Sequence, residues 1–108
     1  MLKWLFGFNR DEDHANAIIR YLSHKDVFGV RENFFTSQPH HTQLRLTMAV
    51  VDVKITCRDN KIYIVLQGYS DNNYEDHLLA QVERVKAQIR SYLSGSHAAK
   101  WRHKVVGI

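Results

Sequence analysis

Apolar side chains recur at helical spacing near the start of the chain. Asn9 and Glu12 form a variant of the capping box, which marks the start of a helix. One helix face is then formed by four apolar positions at i, i+3, i+4 and i+7. These positions are Ala15, Ile18, Ile19 and Leu22. The pattern predicts a helix over 10–24.

A longer helix is predicted over 73–93. Its apolar positions are separated by 4, 3, 4 and 3 residues, which is one continuous helical stripe. They are Leu78, Val82, Val85, Ile89 and Tyr92. Ser94-Gly95-Ser96 then ends the helix. We expect the stripe to pack on a sheet; a homodimer formed through this helix is the alternative.

Between the two helices, alternation of apolar and polar residues predicts a β-hairpin with strands over 44–57 and 61–68. Asp59-Asn60 joins the strands, since both residues tolerate the positive φ of a type I′ turn. This register pairs Ile55 with Ile64. The apolar phase changes at Val50-Val51, which we interpret as a bulge or bend, or as a strand whose two halves face different layers.

These elements predict an α+β fold, a small two-layer sandwich in the order α-β-β-α. An antiparallel sheet centred on the hairpin is covered by the two helices. Further edge strands are expected near 27–35 and 101–106. We expect one domain over 1–108, with an apolar N-terminal segment at 1–8 and a basic tail or edge strand at 97–108.

The order of helix, hairpin and helix resembles small αββα modules such as the BON domain. The resemblance includes the alternation through 53–67 and Gly68 after the second strand. Asp59-Asn60 stands where that module has a glycine in its hairpin. No function is carried over from this resemblance.

Composition excludes two classes of protein. A single cysteine, Cys57, excludes an intramolecular disulfide scaffold. No apolar run reaches 18 residues, so the sequence predicts no transmembrane helix. The first residues become acidic too early for a signal peptide. We therefore expect a cytoplasmic protein.

Positive charge is concentrated in the last quarter of the chain. Residues 1–83 hold nine Lys and Arg against all eleven Asp and Glu, whereas residues 84–108 hold six basic residues and no acid. Such a surface attracts polyanions. A second interpretation is that these cations complement a helix dipole and keep the protein soluble.

The leading hypothesis is a small non-enzymatic protein that binds nucleic acid, with RNA or a single strand preferred to a DNA sequence. The phosphate-contacting residues would be Arg84, Lys86, Arg90, Lys100, Arg102 and Lys104. Trp101 would stack on an unpaired base, or it covers an edge of the core. The mixed face of the hairpin adds further basic and aromatic residues, namely Lys54, Arg58, Lys61 and Tyr63.

The alternative hypothesis is a protein–protein interaction module: an inhibitor, an adaptor or an assembly subunit. Its partner-binding residues would be Trp4, Phe6 and Phe8, or Phe34 and Phe35. The basic tail would suit an acidic protein surface. A role at a membrane surface is the least favoured of these hypotheses.

We expect no enzymatic activity, cofactor or metal site. Seven histidines are present, but their spacing matches no structural zinc site. Asp11, Glu12 and Asp13 are consecutive on the first helix, so they point in different directions and serve to cap it. The chain has no nucleophile motif and no glycine-rich phosphate loop.

Overall fold

The computed structural model describes residues 10–28, 33–35, 40–46, 49–69 and 75–108. The described residues form three helices, five strands and two 3₁₀ turns. The helices are α1 (Arg10–Ser23), α2 (Lys25–Phe28) and α3 (Glu75–Leu93). The strands are β1 (Asn33–Phe35), β2 (His41–Leu46), β3 (Ala49–Arg58), β4 (Lys61–Tyr69) and β5 (Val105–Val106). The 3₁₀ turns are Ser96–Ala98 and Arg102–Lys104.

Both predicted long helices form. The stripe of α1 is buried, and that of α3 is buried at Val85 and Ile89 and half-buried at its other positions. In α1 the four apolar positions at helical spacing are buried, and the acidic residues occupy the first turn. There they face the positive end of the helix dipole. In α3, Val85, Ile89 and Leu93 enter the same core.

The five strands form one sheet in the order β1-β2-β3-β4-β5. The first four are antiparallel, and β5 is parallel to β4. The α+β class is therefore confirmed, but the α-β-β-α order and the purely antiparallel sheet are wrong. Because α3 carries the chain back along the sheet before β5, the last strand runs in the same direction as β4.

The predicted hairpin register is confirmed. Arg58 pairs with Lys61, and Ile55 pairs with Ile64. Asp59 and Asn60 have φ angles of 52° and 60°. Both values lie in the left-handed region that a type I′ turn requires.

The change of apolar phase at Val50-Val51 results from a chain reversal between Leu46 and Ala49, and not from a bulge. What we predicted as one strand over 44–57 is β2 and β3, paired with each other through Leu46 and Ala49. Leu44 and Val51 are likewise partners, and both are buried. The apolar phase changes because the second half of the segment runs back beside the first.

Among the described residues, no helix packs on one of the two sides of the sheet. Both α1 and α3 contact β3 and β4. Val53, Ile55, Ile62 and Ile64 alternate onto the side that the two helices cover, and they are buried. The side chains between them point the other way, onto a face that we call the open face.

Candidate functional site

Three of the six C-terminal cations are held by neighbouring groups. Arg84 donates to the Phe28 carbonyl over 3.0 Å and lies over its ring. Lys86 forms an exposed ion pair with Glu83 at 3.5 Å. The ammonium of Lys104 lies 2.9 Å from Oδ1 of Asp11, which ties the end of the chain to α1.

Trp101 is part of the core. Its side chain is only 6% exposed, and its indole N–H donates to the carbonyl oxygen of His97 over 3.1 Å. One face of the ring is stacked on His14. The structure therefore places Trp101 where a base has no access to the ring face, which corrects its prediction as a stacking residue. The core position removes the apolar ring from water, and the hydrogen bond to His97 satisfies its one polar group.

A groove of about 480 Å³ runs between the start of α1 and the C-terminal turns. It is lined by Arg10, Asp11, Asp13, His14, His97, Lys100, Trp101 and Lys104. Its charges are mixed, so two carboxylates oppose an incoming anion. Burial lowers the pKa of His14 from its ordinary value of 6.5, although Asp11 and Asp13 oppose this shift. Arg10 and Lys100 are the exposed cations of this groove.

A second groove, of about 270 Å³, contains Arg90 and Arg102 and no acidic side chain. Leu93, Val105 and Ile108 supply its apolar lining. Both arginines are exposed. The structure thus separates the six predicted cations into several places instead of one continuous stripe.

A denser group of cations lies on the open face, around Tyr63. Lys61 lies two residues earlier on β4, while Thr56 is the direct partner of Tyr63 on β3. Lys54 and Arg58 are the residues two positions either side of Thr56, so they are diagonal neighbours of the tyrosine. Val106 pairs with Tyr63 from the other side. We call these six residues the Tyr63 platform.

The aromatic ring of the platform already holds a cation. The guanidinium of Arg58 lies 4.6 Å from the centre of the Tyr63 ring. Lys54, Arg58 and Lys61 are exposed, and Tyr63 is half-buried. Arg58 and Lys61 are directly opposed across the strands. Like charges in that position repel each other, and a bound anion would relieve the repulsion.

The nearest carboxylates leave the platform positive. Asp52 lies further along the open face, and His41 Nε2 is 3.3 Å from its Oδ1 atom. Asp59 lies in the turn at the other end. The turn of Arg102–Lys104 precedes β5, and Val105 is the partner of Ile62. One C-terminal cation, Arg102, therefore approaches the Lys61 end of the sheet.

The predicted partner-binding aromatic residues are only partly within the structure. Trp4, Phe6 and Phe8 lie outside the described residues. Phe34 and Phe35 are in β1, where they pair with Gln43 and Thr42. Their side chains are not among those described.

Two other classes of site are absent from the described part of the chain. Those residues contain no group of three or more His, Cys, Asp or Glu side chains placed to hold a metal ion. No helix among them has the length and apolar character needed to cross a bilayer.

Comparison with protein-family models, curated proteins and solved structures finds no match for this chain. The resemblance to αββα modules therefore gains no support from known families.

Proposed function

We propose that the protein binds single-stranded nucleic acid, RNA above all, on the Tyr63 platform. The observation that supports this is one aromatic ring with three cations around it, on a sheet face with no described helix packed on it. Unpaired bases stack on aromatic rings and on guanidinium planes, while Lys and Arg contact the phosphates. Arg58 over Tyr63 supplies both kinds of contact.

The C-terminal cations take a secondary part in this proposal. Arg102 and Arg90 line one groove without an acidic side chain, and Arg102 belongs to the turn beside the Lys61 end of β4. A strand bound on the platform would meet them at the sheet edge. Lys104 and Arg84, which neighbouring groups hold, contribute less.

Fluorescence anisotropy with labelled RNA and DNA, single-stranded and duplex, tests the proposal at roughly 50 to 200 mM salt. Three phosphate contacts to a single strand predict a slope of about 2 for the fall of log affinity with log salt. We expect single-stranded RNA to bind most tightly. Absence of binding at the lowest salt would overturn the proposal.

Two charge-reversal variants separate the platform from net charge. Lys54→Glu with Lys61→Glu should weaken binding at least tenfold and reduce the salt slope. Lys86→Glu with Lys100→Glu makes the same change in net charge away from the platform, and should weaken binding much less. Equal losses in both variants would mean that the platform is not the site.

The contribution of stacking is tested at Tyr63. Replacement by alanine removes the ring, and base–aromatic stacking is worth about 1–3 kcal/mol per base. Tyr63→Ala should therefore reduce the affinity for single strands roughly tenfold, while Tyr63→Phe keeps most of it. If both variants bind like the unchanged protein, the ring takes no part.

A further inference from the structure

The large hydrophobic side chains that the described part of the chain leaves exposed lie along one edge of the sheet. Val65 and Tyr69 of β4 are 61% and 46% exposed, and Val106 of β5 is 40% exposed. Leu79 of α3 is 64% exposed. Exposed apolar residues are ordinary when scattered, but a cluster indicates an interaction surface.

Leu79 belongs to this edge because of its position on α3. Its neighbour Leu78 packs directly against Gly68 of β4. Arg90 lies eleven residues, or about three turns, after Leu79, so the two share a helix face. Arg90 lines a groove with Val105 of β5. The shared face is therefore the one above the β4–β5 edge.

The second half of β4 has a strand on one side only. Among the described residues, β5 pairs with β4 at Ile62 and Tyr63, and no strand continues beside 65–69. Those five residues, Val-Leu-Gln-Gly-Tyr, contain neither charge nor proline. Natural sheets protect exposed edges with charged residues and proline, and an edge that lacks both accepts another strand.

The direction of the backbone N–H and C=O groups of β4 follows from the hydrogen bonds between β2 and β3. The backbone N–H of Ile55 donates to the carbonyl oxygen of His40 over 2.9 Å. The backbone polar groups of Ile55 therefore point toward β2 and away from β4. Residues alternate in this respect along an antiparallel pair. Leu66 and Gly68, at two and four residues after the Ile64 partner of Ile55, therefore direct their N–H and C=O groups away from β3, toward the unpaired side.

We propose that a second copy of this chain occupies the edge, with its β4 antiparallel to the first and a two-fold axis at Gln67. In this register Leu66 is opposite the partner's Gly68, and the two pairs of backbone groups supply four hydrogen bonds. Val65 is opposite the partner's Tyr69, and the Gln67 amides meet on the axis. The proposal does not depend on nucleic-acid binding.

Self-complementarity is the reason for choosing a second copy as the occupant. An isologous interface requires that the same surface fit itself about a two-fold axis. Here Leu66 is opposite Gly68, which brings no side chain of its own to the pair, and apolar Val65 is opposite apolar Tyr69. No charged residue meets another along the paired segment. The joined edges form one continuous ten-stranded sheet.

Sedimentation equilibrium over a range of concentrations measures the association. We expect a mass that rises toward twice 12.7 kDa. Val65→Lys with Tyr69→Lys places lysines opposite each other in the proposed register, and should make the protein a monomer. Val65→Lys with Tyr69→Glu places opposite charges there, and should restore the dimer.

Val106→Lys is the matched control, because it adds a lysine to an exposed apolar position outside the paired segment. It should leave the dimer intact. Circular dichroism establishes that each variant is folded. A monomer at every concentration would overturn the proposal, and so would a dimer that survives the two lysines.

A cysteine on the axis tests the register. Gln67 would meet its own copy in a pair without hydrogen bonds, where α-carbons lie about 4.5 Å apart, a distance that a disulfide spans. In a Cys57→Ser background, Gln67→Cys should form a covalent dimer on mild oxidation, whereas Lys61→Cys should not. Equal cross-linking of both variants, or none at Gln67, would exclude this register.

Discussion

The indole of Trp101 and the imidazole of His14 lie face to face, with ring centroids 4.1 Å apart and an angle of 8° between their planes. They lie 87 positions apart in the sequence. The contact joins the first turns of α1 to the C-terminal turns. Together with the ion pair between Lys104 and Asp11, it makes the basic end of the chain part of the folded core.

Replacement of Trp101 by alanine should strongly destabilise the protein. Loss of a buried tryptophan side chain costs about 3–5 kcal/mol, because contacts are lost and a cavity remains. Urea unfolding would measure the change in the free energy of unfolding. Trp101→Phe keeps an aromatic ring against His14, so its free energy of unfolding should fall less. If Trp101→Ala is as stable as the unchanged protein but binds RNA less well, the tryptophan serves binding and not the core.

The stability of the protein should fall as the pH is lowered through the range just below 6.5. Burial lowers the pKa of His14 from 6.5 in the folded state. The unfolded chain therefore takes up this proton first, and protonation favours unfolding. The contribution of His14 is fully present above pH 6.5 and is lost as pH falls toward the lowered pKa.

Urea midpoints measured from pH 7.5 to 5 check this prediction against His14→Gln, which cannot be protonated. The other six histidines are the same in both proteins, so their effects cancel in the difference. The advantage of the unchanged protein over the variant should shrink toward low pH. A constant or growing advantage would contradict the assignment.

Local periodicity explains why both helices and one hairpin were predicted correctly. The apolar stripe of α1 and the Asp59-Asn60 turn are contained within short segments of sequence. The reversal between β2 and β3 was missed because only Thr47 and Met48 separate Leu46 from Ala49. Neither residue is typical of tight turns. In the sequence, a bulge and a chain reversal produce the same change of apolar phase.

Burial of single side chains was less predictable than the elements. Because cations flank Trp101 in the sequence, two predictions stayed open for it, stacking on a base or covering an edge of the core. Its exposure depends on His14, a residue that no local pattern connects to it. The residues of the Tyr63 platform were recognised on the mixed hairpin face, but their arrangement around one ring follows from the register of two strands.

Cys57 should react slowly with alkylating reagents while the protein is folded. Burial raises the pKa of its thiol from 9.0 to about 11, and the nearby carboxylates of Asp11 and Glu12 add to the effect. Since the thiolate is the reactive form, alkylation at pH 8 should be about a hundredfold slower than in the unfolded chain. Rates of iodoacetamide labelling with and without urea measure the ratio, and equal rates would contradict the predicted pKa.

Gly68 of β4 packs closely against α3, so even one added methyl group should destabilise the fold. A β-carbon at this position would lie 2.6 Å from Cδ1 of Leu78 and 2.9 Å from Cγ2 of Val82. Gly68→Ala should therefore lower the free energy of unfolding by roughly 1–3 kcal/mol, the usual cost of overpacking. Leu78→Ala removes the closer neighbour. The variant with both substitutions should therefore lose less stability than the sum of the losses in the two single variants. Urea unfolding at low protein concentration, where association does not contribute, measures all three variants, and additive losses would show that the two side chains do not collide.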